Sequence, residues 1–378
     1  MKVVTVVGAR PQFIKASPVS RAIATHNRQD RGPRMDEIIV HTGQHFDDVM
    51  SEVFFREMKI PEPAYNLGIG GLAHGAMTGR MLEALEAVLI DERPDVVLVY
   101  GDTNSTLAGA LAAAKLRIRI AHVEAGLRSF NRSMPEEINR VLTDHAADLL
   151  FTPTDTAVRN LQREGLEGRG VHQVGDVMYD ASRLFGELAE RRSGALEQLG
   201  LVPGGYVLAT IHRAENTDNS ARLAAIFDGL GRIAGRFPVV VPLHPRTRAV
   251  LVPGASTSNI AAGVRILDPV GFLDMVKLER HAAIIATDSG GVQKEAYFYG
   301  VPCVTLRHET EWVELIEAGA NRLAPPTGPD VVARALEDAL GARGRGIGEP
   351  TLYGDGHAAE HIVRVLASSC ERDEIRGS

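Results

Sequence analysis

The sequence is short of cysteine, of basic runs and of long apolar stretches, and each shortage narrows the reading. Two cysteines, Cys303 and Cys370, in 378 residues make no disulfide framework, so a reducing compartment is expected. Cys303 lies in the apolar run VPCVTL and reads as a small buried hydrophobe. No stretch approaches the ~20 apolar residues of a membrane helix. The opening MKVVTVVGARP is too short an apolar run for a secretion signal and reads as a strand, so a cytoplasmic location is expected. A net charge of −7 without a long basic segment argues against a nucleic-acid surface. An anionic ligand would therefore need a focused pocket, not a basic face. The loop after the first apolar run lacks GxGxxG, so the usual dinucleotide fingerprint is missing. Among 13 histidines no HExxH or comparable spacing occurs, so no metal site is expected.

What is present is an alternation of short β-branched runs and amphipathic helices. Strands are predicted at residues 2–7, 37–41, 95–100, 118–123 and 148–151. Helices are predicted between them, at about 11–26, 74–93, 106–116 and 135–147. In the second of these, Met77, Met81, Leu82, Leu85, Val88 and Leu89 fall on one helical face. The rhythm restarts with strands at 206–210, 238–242, 264–267 and 282–286 and helices at 220–237 and 292–300. Alternation of this kind means parallel sheets covered by helices on both faces. The length exceeds what one core usually supports, so two domains are expected, 1–175 and 176–360, followed by the end of a helix and a tail at 361–378. The final helix, about 356–369, is amphipathic and fits either domain; residues 341–348 (GARGRGIG) read as a surface loop.

Polar residues gather at predicted strand ends, where doubly wound sheets bind ligands. After the first strand come Arg10 and, one turn into the helix, Lys15; they suit a phosphate, or they are solvated cations beside a tight turn. Asp102, Glu124 and Glu136 arrive at one sheet edge. Asp102 and Glu136 stand where a helix begins, so capping competes with acid/base chemistry for each taken singly. Glu124 ends an apolar strand with no capping role in view, and the three together favour proton transfer. In the second half, His212 and His244 follow strands, where a lone histidine is more often structural than catalytic. The run Asp288-Ser289-Gly290-Gly291 passes from a strand into a helix. Its glycines let a ligand approach the backbone, and the free N–H groups favour a diphosphate over an ordinary glycine turn. Glu295, one turn on, is placed to accept hydrogen bonds from ribose hydroxyls.

These segments, GARPQFIK, TGQH, YGDTNSTLA, HVEAGLRS, MPEEINR, ATIHRAEN, LHPRT and DSGGVQKEA in that order, resemble the non-hydrolysing UDP-N-acetylglucosamine 2-epimerases over nearly the whole chain. The resemblance implies an α/β fold of two Rossmann-like, doubly wound parallel-sheet domains, the GT-B fold, with an interdomain active-site cleft. It implies an isomerase that interconverts UDP-GlcNAc and UDP-ManNAc by eliminating UDP to a 2-acetamidoglucal and adding it back with C2 proton exchange. Asp102, Glu124, Glu136 and His212 match the catalytic positions. Arg10, Lys15, Gln44, His45, Arg140, His244, Ser289, Gly290, Gly291 and Glu295 match substrate-binding ones. No cofactor is implied; a UDP-amino sugar substrate and a homodimer are, with no nucleic acid and no membrane as partners.

The match has departures. The usual GTRPE loop is GARPQ here, with Gln12 for Glu. Phe46-Asp47-Asp48 replace the basic and amide residues that follow TGQH, which puts allosteric binding of a second UDP-sugar in question. The usual TERPE becomes Thr310-Glu311-Trp312-Val313-Glu314. This pattern resembles a subgroup that includes epimerases of UDP-2,3-diacetamido-glucuronic acid, a rival substrate for the same reaction. A GT-B glycosyltransferase, sharing the UDP site, is the rival of another class.

Overall fold

Val3, Val4, Val6 and Val7 are fully buried, as a strand covered on both faces requires. In the computed structural model, which describes residues 1–30, 32–44, 61–168, 170–243, 247, 263–342 and 351–376, this run is β1 (Lys2–Val7). Side chains are described as far as residue 369, so Cys370 lies outside them, as do His45, Phe46, Asp47, Asp48, His244 and most of the predicted 341–348 loop. With β2 (Asp36–His41), β3 (Tyr65–Asn66), β4 (Val96–Tyr100), β5 (Arg119–Val123), β6 (Leu149–Thr152) and β7 (Val171–Gln173), β1 forms a parallel sheet in the order β3-β2-β1-β4-β5-β6-β7. The order reverses between β1 and β4, and the loops that leave these strands therefore diverge.

A second parallel sheet repeats the design. It contains β8 (Val207–Thr210), β9 (Val239–Pro242), β10 (Val264–Leu267), β11 (Ile284–Thr287), β12 (Cys303–Thr305) and β13 (Asn321–Leu323), in the order β10-β9-β8-β11-β12-β13. Its reversal falls between β8 and β11. Cys303 is buried in β12, and burial pushes its thiol up to about 12, the environment of an inert small hydrophobe.

The helices cover these sheets with their apolar faces. Met77, Met81, Leu85 and Leu89 of the helix His74–Glu92 join Val4, Val6, Val97 and Val99 in the first core. In the helix Asn104–Lys115 a methyl group on Gly109 would lie 3.1 Å from Val99 Cγ1 and 3.3 Å from Val6 Cγ2, so glycine lets that helix sit close to the sheet. Ile226, Leu230 and Leu336 cover Val207, Ala209, Ile284 and Ala286 in the second core.

The chain divides into two compact units, Met1–Ala181 with Tyr353–Ser378, and Ser182–Leu352. The sequence places the junction near 175 and assigns residues up to 360 to the second domain. The observed division differs because the chain returns: the helix Ala358–Arg376 packs on the helix Arg10–Gln29 of the first unit. The return is fixed by hydrogen bonds. Asp180 accepts the Ala358 and Ala359 N–H groups at 3.1 and 2.9 Å, and Asp176 N–H donates to the Tyr353 carbonyl at 2.9 Å. An amphipathic face shows that a helix packs, not which unit it packs on.

Candidate active site

In the first unit the sequence-predicted groups stand at the carboxyl ends of β1, β2, β4 and β5, on both sides of the reversal. The first loop is tightly built. A methyl group on Gly8 would lie 2.1 Å from Thr42 Oγ1 and 2.2 Å from Ser105 Oγ, so only glycine fits. Gln12 is buried and serves the loop itself. Its amide oxygen accepts Gly8 and Ala9 N–H at 2.8 and 3.0 Å, and its amide nitrogen donates to the Tyr100 carbonyl at 2.9 Å and to Thr106 Oγ1 at 3.0 Å. The departure from GTRPE at this position therefore falls on a structural staple. Arg10 opens the helix Arg10–Gln29 at the exposed rim, with Pro11 in its first turn, where no N–H is needed. Gln44, past the end of β2, turns its amide oxygen to the start of the helix Asn104–Lys115 and accepts from Ser105 N–H at 3.2 Å and Ser105 Oγ at 2.8 Å.

Lys15 Nζ forms an ion pair with Glu124 Oε2, both side chains being largely buried. Asp102 pairs with Arg140, whose other nitrogen lies 2.9 Å from Glu137 Oε2. Thr103, not Asp102, caps the helix Asn104–Lys115, its hydroxyl accepting from Thr106 N–H at 3.4 Å. The capping reading of Asp102 thus gives way to a pairing with a cation 38 positions away. Asn139 holds the Asp102 carbonyl at 2.9 Å. Burial lowers the Arg140 pKa, but Asp102, Glu137 and Glu124 together outweigh it and raise it.

Of the two acids in MPEEINR, Glu137 is used within the fold. It accepts Ser129 N–H, Ser129 Oγ and Phe130 N–H, each at 2.9 Å. Burial raises its carboxyl, and these hydrogen bonds with the Arg140 charge outweigh that, so it stays below the usual range. Glu136 is half-buried in the first turn of the helix Pro135–Ala146, after Met134 at the cap position.

The second unit gathers its polar groups at the ends of β8 and β11. Asp288, which sequence reasoning did not single out, is the hub. Fully buried, it accepts His212 N–H at 3.1 Å, Arg213 N–H at 3.1 Å and Asn216 Nδ2 at 3.0 Å. His212 Nδ1 lies 3.7 Å from Asp288 Oδ1, beyond hydrogen-bond length, and its side chain is partly exposed. Asp288 therefore fixes the backbone that carries His212. The only local signal was its place before Ser-Gly-Gly, where a carboxylate also reads as part of the turn.

Ser289 stands at the cap of the helix Gly290–Phe298 without its side chain capping it, and its N–H donates to Thr287 Oγ1 at 2.9 Å. The two glycines differ. A methyl group on Gly290 would lie 2.3 Å from Glu311 Oε1, whereas one on Gly291 would meet only Ser289 Oγ at 3.9 Å. Gly291 is exposed, so its backbone remains open to a ligand. Glu295 follows one turn later, half-buried. Above Gly290 sits Trp312, which the sequence reading treats only as a departure. Trp312 Nε1 donates to the Gly290 carbonyl at 2.9 Å, and Lys294 Nζ lies 4.3 Å from the Trp312 ring. Glu311 is 2.8 Å from Arg307 and 3.6 Å from Arg213. Burial raises the Glu311 carboxyl, and the charges of Arg307 and Arg213 with hydrogen bonds hold it below its usual value.

The family model described as UDP-N-acetylglucosamine 2-epimerase matches residues 27–367. A UDP-2,3-diacetamido-2,3-dideoxy-D-glucuronate 2-epimerase of Pseudomonas aeruginosa is 50% identical over 97% of this chain and 99% of its own. The crystal structure of Methanocaldococcus jannaschii UDP-GlcNAc 2-epimerase, in complex with UDP-GlcNAc and UDP, superposes with a TM-score of 0.83 at 43% identity, covering 97% of this chain and all of that one. The sucrose-phosphate synthase of Thermosynechococcus elongatus superposes over both full chains with a TM-score of 0.63 at 14% identity, a likeness of fold alone.

Proposed function

The chain belongs to the UDP-N-acetylglucosamine 2-epimerase family, and we propose that it interconverts UDP-GlcNAc and UDP-ManNAc without a cofactor. The observation that carries this reading is the two carboxylate–cation pairs at one sheet edge of the first unit, Asp102 with Arg140 and Glu124 with Lys15; Glu136 stands in the first turn of the helix that follows β5.

The chemistry explains why several acids are needed. The C2 proton of the sugar is barely acidic while C1 is an acetal carbon. Weakening the C1–O bond gives C1 oxocarbenium character and acidifies C2–H. UDP leaves well when cations and helix N–H groups take its charge. In the second unit the N–H groups around Gly290 and Gly291 suit the diphosphate and Glu295 suits the ribose. A carboxylate takes the C2 proton, leaving UDP and 2-acetamidoglucal. UDP then adds back as a proton reaches C2 from the opposite face. Proton carriers on both faces are the role of Asp102, Glu124 and Glu136. His212 and Arg140 serve the departing phosphate and the carboxylates.

The second reading is the same reaction on UDP-2,3-diacetamido-glucuronic acid. It is favoured by the 50% identity to the Pseudomonas aeruginosa enzyme of that name and by Trp312 in place of the arginine of TERPE. We further propose a cytoplasmic homodimer. No described helix is long and apolar enough to cross a membrane. Phe130, Ile138 and Leu142 leave an exposed apolar set on the first unit, the last two one turn apart on the helix Pro135–Ala146.

Incubation with either sugar nucleotide in deuterated water, followed by proton NMR, tests the reading. Deuterium at C2 with a growing signal of the 2-epimer supports it and names the substrate. Absence of exchange with both overturns it, and sugar transfer to an acceptor with C2–H retained identifies a glycosyltransferase.

A further inference from the structure

Glu124 has φ 75°, the left-handed region that a glutamate enters only when its surroundings impose it. Glu124 and Ala125 N–H both donate to the Phe151 carbonyl, at 3.1 and 3.0 Å. A second hold comes from one carboxylate on the helix Pro135–Ala146. Two residues before Glu124, the His122 ring lies 2.7 Å from Asp144 Oδ1 through Nδ1 and 2.7 Å from the Gly101 carbonyl through Nε2. Two residues after it, Gly126 N–H donates to Asp144 Oδ2 at 3.0 Å. Asp144 therefore grips the chain on both sides of the strained residue. His122 and Asp144 are both fully buried. A methyl group on Gly126 would lie 2.5 Å from the Ala157 carbonyl, so the turn is also closed from below.

Paired charges surround this grip. Asp144 is held ionised: burial raises its carboxyl, and His122 and Arg128 together bring it below its usual value. Arg128 lies 2.7 Å from Asp144 and 2.7 Å from Glu164, with His145 3.8 Å from Glu164. On the other side stand Lys15 and Glu124. Neither the Asp144 carboxylate nor the Gly101 carbonyl has a hydrogen to give, so both are acceptors facing the His122 ring nitrogens. Gly101 in turn is the floor of the Lys15–Glu124 pair, since a methyl group on it would lie 3.1 Å from Lys15 Nζ and 3.4 Å from Glu124 Oε2.

We infer that His122 and Asp144 are positioning residues: together they clamp the Gly101 carbonyl and the turn at Glu124, and so hold the Glu124 carboxylate at Lys15 for proton transfer. The inference rests on the reading of Glu124 as a proton carrier. Its test has two arms. In long-range 1H–15N spectra of histidine-labelled protein, with the His122 signals identified by their loss in His122→Gln, both ring nitrogens of His122 carry hydrogen. A bare ring nitrogen on His122 overturns the clamp whatever the protein catalyses. In C2–deuterium exchange, Asp144→Ala lowers kcat by about 10²-fold, the scale of a misplacement near 1 Å, with KM unchanged. Asp144→Asn, which keeps an oxygen toward Gly126 and Arg128 and the shape of the contact to His122, retains kcat within about tenfold of wild type. Equal losses in the two folded variants, or a wild-type kcat in Asp144→Ala, overturn the clamp. Should Asp144→Ala not fold, the Asp144→Asn rate and the nitrogen signals decide. Failure of wild-type exchange with both sugars overturns the function and leaves the nitrogen arm to judge the clamp.

Discussion

Lys15, one turn into the first helix, reaches across the end of β4 to pair with Glu124 at the end of β5, 109 positions away. The ammonium thus sits on a carboxylate assigned to proton transfer, not in open solvent beside a turn.

Replacing Lys15 by Met keeps the stem and removes the charge. If the pair serves proton transfer, kcat for C2 exchange falls about 10²–10⁴-fold with KM little changed. Steady-state kinetics on both sugar nucleotides checks this, and a rise in KM alone would move Lys15 back to the diphosphate. Glu124→Gln abolishes exchange in the same assay.

Gly290 and Gly291 separate packing from ligand approach. Gly290→Ala drives a methyl group into Glu311, and the expected cost in stability is about 1–3 kcal/mol. Gly291→Ala has open space, so it keeps the wild-type unfolding midpoint while weakening UDP binding. Thermal unfolding with and without UDP reads both effects.

Gln12→Leu tests the staple under the first loop. It leaves the Gly8 and Ala9 N–H groups without their acceptor, and the expected loss is about 1–3 kcal/mol per buried group left unpaired. Urea unfolding measures it.

Asp180 makes stability depend on pH. Burial pushes its carboxyl up to about 6 from 3.8, with Asp176 adding and the Ala358 and Ala359 N–H groups and His357 opposing. The folded protein then holds this proton more tightly than the unfolded chain. The contribution is fully present below about pH 3.8 and is lost as pH rises through about 6. Asp180→Asn, neutral and still able to accept one of the two N–H groups, removes that slope from the unfolding midpoint between these values.

The long elements were legible because their signals are local. β4 is a continuous apolar run, β1 and β5 are broken only by Lys2 and Thr5 and by Arg119 and His122, and the helix His74–Glu92 shows its buried face in the spacing of Met77, Met81 and Leu85. The strands β3, β7, β12 and β13 span two or three residues each, too few for a period to show. The strand ends that carry the site were also legible, since the glycines and acids interrupt apolar runs. What was not legible is pairing at a distance. Nothing near Asp102 announces Arg140, nothing near Asp288 announces Asn216, and Glu136 and Glu137 are alike until the 129–130 backbone claims one of them. His45 and His244 lie outside the described residues, and their expected roles rest on the resemblance.

The return of residues 353–376 to the first unit bears on how the chain is made. During synthesis the first unit emerges with Asp180 lacking the N–H groups it will hold and with one side of the helix Arg10–Gln29 uncovered. The second unit, a continuous stretch, has all its own strands and helices before the last helix leaves the ribosome. The unit encoded first is therefore completed last, and a break in translation after residue 352 harms the front half of the sequence, not the back.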